Sequence, residues 1–234
     1  MSVELPSRRL LQMQAEWLSG ARTRILRLAE IARRKSVLDL GAGYGIITSE
    51  LRRRTSGFVI ALDSALPALE SLQPCVCAVA SALPFQDNSF DLVFSQNVML
   101  WIRECDPVIQ SVQRVLAEGG AWVLIEPDYG AIIEYPVVLD TSAIWISALK
   151  RAGANPHIGR TLPVLLRTAG FKVRTELLPR LEDPDPLRFE FLSELELSES
   201  ERIQLQRIRE HSGQLNPAHQ ISHLPYFLII AERA

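Results

Sequence analysis

Cysteine is scarce in this chain: three in 234 residues, at positions 75, 77 and 105. An odd number argues against a closed disulfide framework, and the spacing contains no metal-ligand pattern, so no metal is expected. A reduced, cytoplasmic setting fits that usage. No apolar run approaches the roughly 18 residues of a membrane span, and the first residues carry no signal-peptide pattern. Charge of one sign is missing too. Lys and Arg total 25 against 27 for Asp and Glu, a net charge of −2, which gives no reason to expect a polyanion partner. The short basic runs Arg33-Arg34-Lys35 and Arg52-Arg53-Arg54 read as solvated helix ends rather than nucleic-acid contacts. Internal repeats are absent. What remains is an ordinary globular composition, 47% hydrophobic and 22% charged, enough for one domain over residues 1–234 with a substantial core.

Periodicity then places the elements. Apolar residues at helical spacing predict helices over 5–19 and 20–34, with Leu10, Leu11, Trp17 and Leu18 on the first and Ile25, Leu28 and Ala32 on the second. Short apolar runs predict strands at 36–40, 58–62, 75–79, 91–95 and 121–126, with helices at 65–72 and 107–117 between them. Val108, Val112 and Val115 line one face of the latter. A helix capped by Thr161 carries Leu162, Leu165, Leu166 and Ala169 and stops at Gly170. Phe171 to Leu178 and Tyr226 to Ala231 read as the last two strands. Alternation of strands and helices implies an α/β fold whose mostly parallel sheet is covered on both faces.

One run carries most of the chemistry. Val37-Leu38-Asp39-Leu40 is a buried strand, and Gly41-Ala42-Gly43-Tyr44-Gly45 is a turn whose glycines permit positive φ and close approach of a ligand. Ile46 to Arg54 is a helix, and Phe58 to Leu62 is a second strand ending in Asp63. Asp63 follows Gly45 by 18 residues, the position from which a carboxylate accepts hydrogen bonds from both ribose hydroxyls of a nucleoside. The glycine pattern is G-x-G-x-G, with Ile46 where a dinucleotide fingerprint needs its third glycine. Asp39 would repel a pyrophosphate but can hold a ligand ammonium.

These residues resemble the first motif of the class I S-adenosylmethionine-dependent methyltransferases, of small-molecule type. Ser81-Ala82-Leu83-Pro84-Phe85 followed by Ser89-Phe90-Asp91 is similar to that family's connection into the fourth strand, and Val115 to Tyr129 to its helix–glycine–fifth-strand signature. Glu126-Pro127-Asp128-Tyr129-Gly130, Ile133-Glu134-Tyr135-Pro136 and Ile158-Gly159-Arg160 match a further group within it. The resemblance spans about residues 20–175. It implies a Rossmann-like seven-stranded, mostly parallel sheet with helices on both faces, the last strand inserted antiparallel, and a small helical cap. It also implies S-adenosyl-L-methionine as cofactor, with contacts at Asp39, Gly41, Ala42, Gly43, Asp63, Ser64, Ala80, Ser81 and Gln96. Asp39 and the glycines would hold the methionine end and Asp63 the ribose. Relatives place an aspartate four residues before the leucine of Leu-Pro-Phe to hold the adenine amino group; here that residue is Val79. Adenine is therefore left to backbone near Ala80 and Ser81, the Ser81 hydroxyl, and walls such as Leu62, Ala65 and Leu83.

Recognition of the methyl acceptor is expected from segments outside that scaffold: residues 1–35, 131–160 (with a helix from Leu139 to Ala152) and 182–222. The last contains the acidic loop Glu182-Asp183-Pro184-Asp185-Pro186 and a charged helix near 198–210. Asp128, Glu126 and His157 are the candidate bases. Glu126 and Asp128 flank Pro127 and are expected on opposite sides of the strand end, one toward the crevice and the other solvated or capping a helix. His157, in Asn155-Pro156-His157, reads more readily as a solvated loop residue. Tyr129, Tyr135, Trp101 and Trp145 are candidates for an aromatic wall or for core. Arg160 is a partner for an acidic acceptor or for a nearby carboxylate. The expected activity is methyl transfer to a small organic molecule. A non-catalytic S-adenosylmethionine-binding partner protein and a nucleic-acid methyltransferase are the alternatives; the latter is disfavoured by the acidic balance and the missing Asn/Asp-Pro-Pro-aromatic motif.

Overall fold

A computed structural model describes residues 5–69, 72–178 and 187–233. The run at 182–186 lies outside them. Two helices open the described chain, α1 (Arg8–Trp17) and α2 (Ser19–Leu28). The second ends earlier than its periodicity suggests because Glu30 sits in the left-handed region, φ 55°, a conformation that ends a helix. Leu26 and Ile31 are therefore the buried residues here, while Leu28 is 40% exposed.

The sheet is built from β1 (Ser36–Leu40), β2 (Phe58–Asp63), β3 (Cys75–Cys77), β4 (Phe90–Gln96) and β5 (Leu116–Pro127), with α3 (Ile46–Arg54), the short α4 (Leu66–Leu69) and α5 (Cys105–Val115) in the connections. β6 (Ile133–Tyr135), α6 (Ser142–Arg151), α7 (Ile158–Thr168) and β7 (Lys172–Leu177) follow. Then come α8 (Leu187–Ser193), α9 (Glu199–Gln214), β8 (Ile221–His223) and β9 (Tyr226–Glu232). The seven-stranded sheet has the order β3-β2-β1-β4-β5-β9-β7. β9 lies antiparallel to both of its neighbours, and the remaining pairs are parallel. β6 and β8 form a separate two-stranded sheet.

Strand alternation divides the core in two. Val37, Leu92, Phe94, Val123 and Ile125 face α2 and α3. Leu38, Val93, Trp122 and Leu124 face α5 and α7, where Val108, Val112, Val115, Leu162 and Leu166 meet them. Burial on both faces is why these strands read as continuous apolar runs.

Three boundaries differ from the periodicity. β5 begins at Leu116 rather than 121, because Leu116 pairs with Phe90 before a register shift at Gly119, φ 70°, re-aims the strand. α6 spans Ser142–Arg151, with a separate short turn at Val137–Leu139 before it. α7 starts at Ile158, so Thr161 is not its cap; the Thr161 hydroxyl donates back to the Ile158 carbonyl at 3.1 Å within the first turn. Gly159 explains this early start. A Cβ there would lie 2.8 Å from the Pro127 carbonyl oxygen, so only glycine lets the helix press onto the end of β5.

The chain leaves β1 toward β2 and β3 on one side and returns to β4 and β5 on the other. The carboxyl ends of β1 and β4 therefore flank the crevice where α/β sheets take ligands.

Candidate functional site

The glycine turn is docked before any ligand arrives. Gly41 and Ala42 both donate their backbone N–H to the Leu62 carbonyl, at 2.8 and 3.0 Å. Gly43 N–H donates to Asp63 Oδ2 at 2.8 Å, and Ala65 N–H to Asp63 Oδ1 at 2.9 Å. An ionised carboxylate offers about four lone-pair sites. Two are filled by backbone, and the other two remain for a ligand. Val98, just beyond β4, packs against the turn, and a Cβ on Gly41 (φ +74°) would lie 2.3 Å from the Val98 side chain. Gly41→Ala is expected to cost about 2–4 kcal/mol in urea unfolding, the sum of a left-handed alanine and an overpacked contact. The double variant with Val98→Ala should recover only the contact part. A loss below about 1 kcal/mol in the single variant would refute the close approach.

The turn forms part of the wall of a cavity of about 1010 Å³. Gly41, Ala42, Gly43, Asp63, Ser64, Ala80, Ser81 and Gln96 all stand on its wall, as do Leu62 and Ala65. Leu83 is buried behind it. Val79 is on the wall and 54% exposed, so this side of the cavity presents an apolar surface.

Asp39 is the exception among the expected contacts. It is 2% exposed and absent from the wall. Its carboxylate accepts from the Thr48 hydroxyl at 2.5 Å, tying β1 to α3. Burial raises its pKa to about 7, opposed by the Thr48 hydrogen bond and assisted by the nearby Asp63 charge. Asp39 therefore braces the turn from behind and does not meet the cavity directly.

The expected bases are also elsewhere. Glu126 is fully buried and accepts from the backbone N–H groups of Val98, Met99 and Leu100, at 3.0, 3.0 and 3.3 Å. Burial pushes its pKa to about 7 against those three bonds. Asp128, 1% exposed, takes a two-pronged ion pair from Arg160 and accepts from Gly130 N–H at 3.1 Å. His157 Nδ1 lies 3.8 Å from the same carboxylate. Neither Asp128, Glu126 nor His157 lines the cavity. β5 ends at Pro127, so Asp128 has left the ladder and caps the turn Tyr129–Ala131. The expectation of one carboxylate facing the crevice is corrected: one organises the loop after β4, and the other holds α7 against the loop after β5. Of the two partners considered for Arg160, the structure supplies the carboxylate.

Several wall residues were not singled out in the sequence. Tyr44, Asn97 and Val98 belong to the turns, and Gln14 and Leu11 to α1. Arg22 reaches two other wall residues, Gln96 and Ala15, from behind. It is 3% exposed and donates to Glu50 at 2.8 and 2.5 Å, to Gln96 Oε1 at 3.1 Å and to the Ala15 carbonyl at 2.9 Å. That one guanidinium locks the helical corner, α3 and the end of β4 together.

The far half of the cavity is aromatic. Trp101, Tyr129, Trp145 and Phe191 line it, with Leu149 and Leu195. The Tyr129 and Trp145 rings lie 4.6 Å apart at 35°. Tyr135, the fourth aromatic candidate, is 60% exposed on β6 and away from this wall. Among the described residues no cluster of acids, histidines and cysteines could hold a metal, and no helix is long and apolar enough to cross a membrane.

A mostly parallel sheet in this strand order, with a glycine turn and a carboxylate at its switch point, is a Rossmann-like fold. Residues 38–124 match a family described as "Methyltransferase domain". A malonyl-[acyl-carrier protein] O-methyltransferase of Halorhodospira halophila is 39% identical over 97 residues, which is 37% of this chain and 33% of that protein. A mouse (Mus musculus) mitochondrial protein named arginine-hydroxylase NDUFAF5 is 31% identical over 169 residues, 68% of this chain and 48% of its own length. The chain thus spans less than half of these curated relatives. The crystal structure of a putative sarcosine dimethylglycine methyltransferase from Galdieria sulphuraria superposes with a TM-score of 0.59 at 20% identity, covering 99% of this chain and 92% of that one. Residues 38–124 thus match a methyltransferase domain, and the whole chain has the Rossmann-like fold of the methyltransferase structures it superposes on.

Proposed function

We propose that the cavity binds S-adenosyl-L-methionine and that the protein transfers its methyl group to a small organic acceptor. The observation that carries this reading is Asp63, held by Gly43 and Ala65 N–H groups with lone pairs left toward a cavity that the glycine turn also lines. In the proposed arrangement Asp63 holds the ribose hydroxyls. Gly41, Ala42 and Gly43 pass close to the methionine end, with Gln96 beside it. Ser64, Ala80 and Ser81 border the base, and Val79 packs on it in place of a hydrogen bond. Asp39 acts through Thr48 and the turn.

The residues present fit this cofactor better than a dinucleotide. Ile46 stands where a third glycine would be needed for a pyrophosphate to approach α3, and Tyr44 occupies the turn. Methyl transfer is favoured over passive binding by the cavity's size. Its volume lies at the upper end of ligand pockets, about 300–1,000 Å³, and its aromatic half is left over once a nucleoside occupies the other. We propose a single methyltransferase domain capped by the described parts of the segments 1–35, 131–160 and 182–222, a reading supported by the wall residues that α1, α6 and α8 contribute.

S-adenosylmethionine supplies an activated methyl group on a sulfonium, so the protein's tasks are alignment and exclusion of water. No general base is assigned on the cavity wall, and Asp128 and His157 are not proposed for that role.

Calorimetric titration with S-adenosylmethionine, S-adenosylhomocysteine and NAD tests the reading. Binding of the first two at micromolar concentration and none of NAD supports it. Binding of NAD alone, or of none, overturns it. Binding without turnover across an acceptor screen would instead support the non-catalytic alternative.

A further inference from the structure

Tyr129 brings an unpaired hydroxyl to the cavity wall. It starts the short turn Tyr129–Ala131 just past β5, and its backbone N–H donates to the Pro156 carbonyl at 2.9 Å. The residue is 7% exposed, with its ring packed on that of Trp145. Among the described residues the hydroxyl makes no hydrogen bond, yet it is not sealed in, and Tyr129 stands on the cavity wall. Tyr226 shows the contrast. It lies opposite Pro127 at the start of β9, and its hydroxyl has the Asn97 and Gln14 side chains as partners. Buried tyrosine hydroxyls ordinarily find a partner, so an open one calls for a reason.

Its surroundings supply one. Trp101, Trp145, Leu149, Phe191 and Leu195 give this half of the cavity apolar walls. Trp145 Nε1–H, like the Tyr129 hydroxyl, has no acceptor among the described residues and is not sealed in. Other polar wall residues are engaged or outlying. Gln14 serves Tyr226, Gln96 accepts from Arg22 and Glu194 from Ser7 N–H, while Arg103 and Glu104 are solvent-exposed. Burial and the nearby Glu126 charge push the Tyr129 pKa up, so the group stays an O–H and offers its proton. Glu126 lies under the loop that bears Val98, which sets this hydroxyl near the junction of the cofactor and aromatic halves. The same carboxylate disfavours an anion there. What answers a buried O–H in that field is a neutral lone pair.

We infer that Tyr129 is an acceptor-binding residue, and that the methyl acceptor is a planar apolar molecule whose neutral carbonyl oxygen or ring nitrogen accepts from the Tyr129 hydroxyl, its body lying between the aromatic walls. A lone pair engaged by that O–H is not the one that attacks the sulfonium methyl. A second atom of the acceptor is methylated, and Tyr129 sets its orientation. This rests on the cofactor reading above and adds to it the acceptor's chemical class.

The test uses two probes of one shape, quinoline and naphthalene, which differ by a ring nitrogen that is neutral at pH 8 and accepts one hydrogen bond. Equilibrium dialysis measures each against protein saturated with S-adenosylhomocysteine. Tyr129→Phe keeps the ring and removes the hydroxyl. It should weaken quinoline about three- to tenfold, the worth of one neutral hydrogen bond, and leave naphthalene and S-adenosylhomocysteine within about twofold. Its melting temperature without ligand should match or exceed that of the unaltered protein, because no bond within the protein is lost. Equal changes for the two probes, an unchanged quinoline affinity, or binding of neither probe overturns the inference. So does a variant that fails to fold or melts more than about 4 °C lower, since the hydroxyl would then be bonded within the protein. Loss of S-adenosylhomocysteine from Tyr129→Phe would assign Tyr129 to the cofactor half and overturn it as well. Failure of S-adenosylhomocysteine to bind the unaltered protein would refute the cofactor reading instead, so the two failures are distinguishable.

Discussion

Asp63→Ala is expected to weaken S-adenosylmethionine binding by about 10- to 100-fold, on the order of 1.5–3 kcal/mol, the range for hydrogen bonds to a charged group. Two losses combine. The ribose hydroxyls lose a charged acceptor, and the N–H groups of Gly43 and Ala65 lose theirs, so the turn is no longer held in the shape that meets the ligand. Asp63→Asn separates the two, since its amide oxygen can still accept one backbone N–H while its NH₂ faces the other as a second donor. It should fall between Ala and the unaltered protein. Calorimetry gives the affinities, and a thermal melt of each variant without ligand shows whether the fold is intact. Affinity within twofold for a folded Asp63→Ala protein would remove Asp63 from the site.

The parts legible in the sequence are those governed by short-range rules. Val37 to Leu40 and Phe58 to Asp63 are apolar runs because both faces of the sheet are covered, and Val108, Val112 and Val115 keep helical spacing because α5 buries one face. The glycine turn and Asp63 are close in sequence to the strands that position them. The placement of β9 between β5 and β7 follows from the family resemblance; periodicity alone identifies β9 as a strand and leaves its neighbours open. What escaped depends on direction and on distant partners. Asp39 reads as facing the ligand because it precedes the glycines, yet alternation along β1 and the Thr48 hydroxyl nine residues later turn it inward. Glu126 and Asp128 look alike around Pro127. Their partners lie 26–28 and 32 residues away, and only the fold brings these together. Arg22 sits in a helix that reads as plain amphipathic, and nothing local shows that it holds Gln96, 74 residues on. Asn97 left one faint signal, an αL-tolerant residue just past a buried strand.

Glu126→Ala should be the most destabilising single substitution in the site's framework, by about 3 kcal/mol or more. It strands three backbone N–H groups at once, in a place with no exposed surface and in the loop that carries Asn97 and Val98. Glu126→Gln separates the hydrogen bonds from the proton. Its amide oxygen keeps the Val98 and Met99 bonds and gives up the longer one to Leu100. The pH dependence has a definite sign. Burial lifts the Glu126 pKa from 4.5 to about 7 in the folded protein, so between those values the native state holds a proton that the unfolded chain has released. Stability must then fall as pH rises through that window and level off above it, by on the order of 3 kcal/mol for this group. Asp39, raised from 3.8 to about 7 mainly by burial, adds a loss of the same sign. Glu201 acts outside the window. Burial would raise its pKa, but hydrogen bonds from Arg151 and Ser198 outweigh it and bring the value to about 2, so its contribution disappears only as pH falls below 4.5. Urea midpoints at pH 5, 6, 7 and 8 should decline for the unaltered protein and decline less for Glu126→Gln, which resembles the protonated form at every pH. The variant should be the less stable of the two at pH 5 and draw level with or overtake the unaltered protein by pH 8. Parallel curves for the two proteins would mean that Glu126 folds as a carboxylate, with its three N–H bonds outweighing its burial.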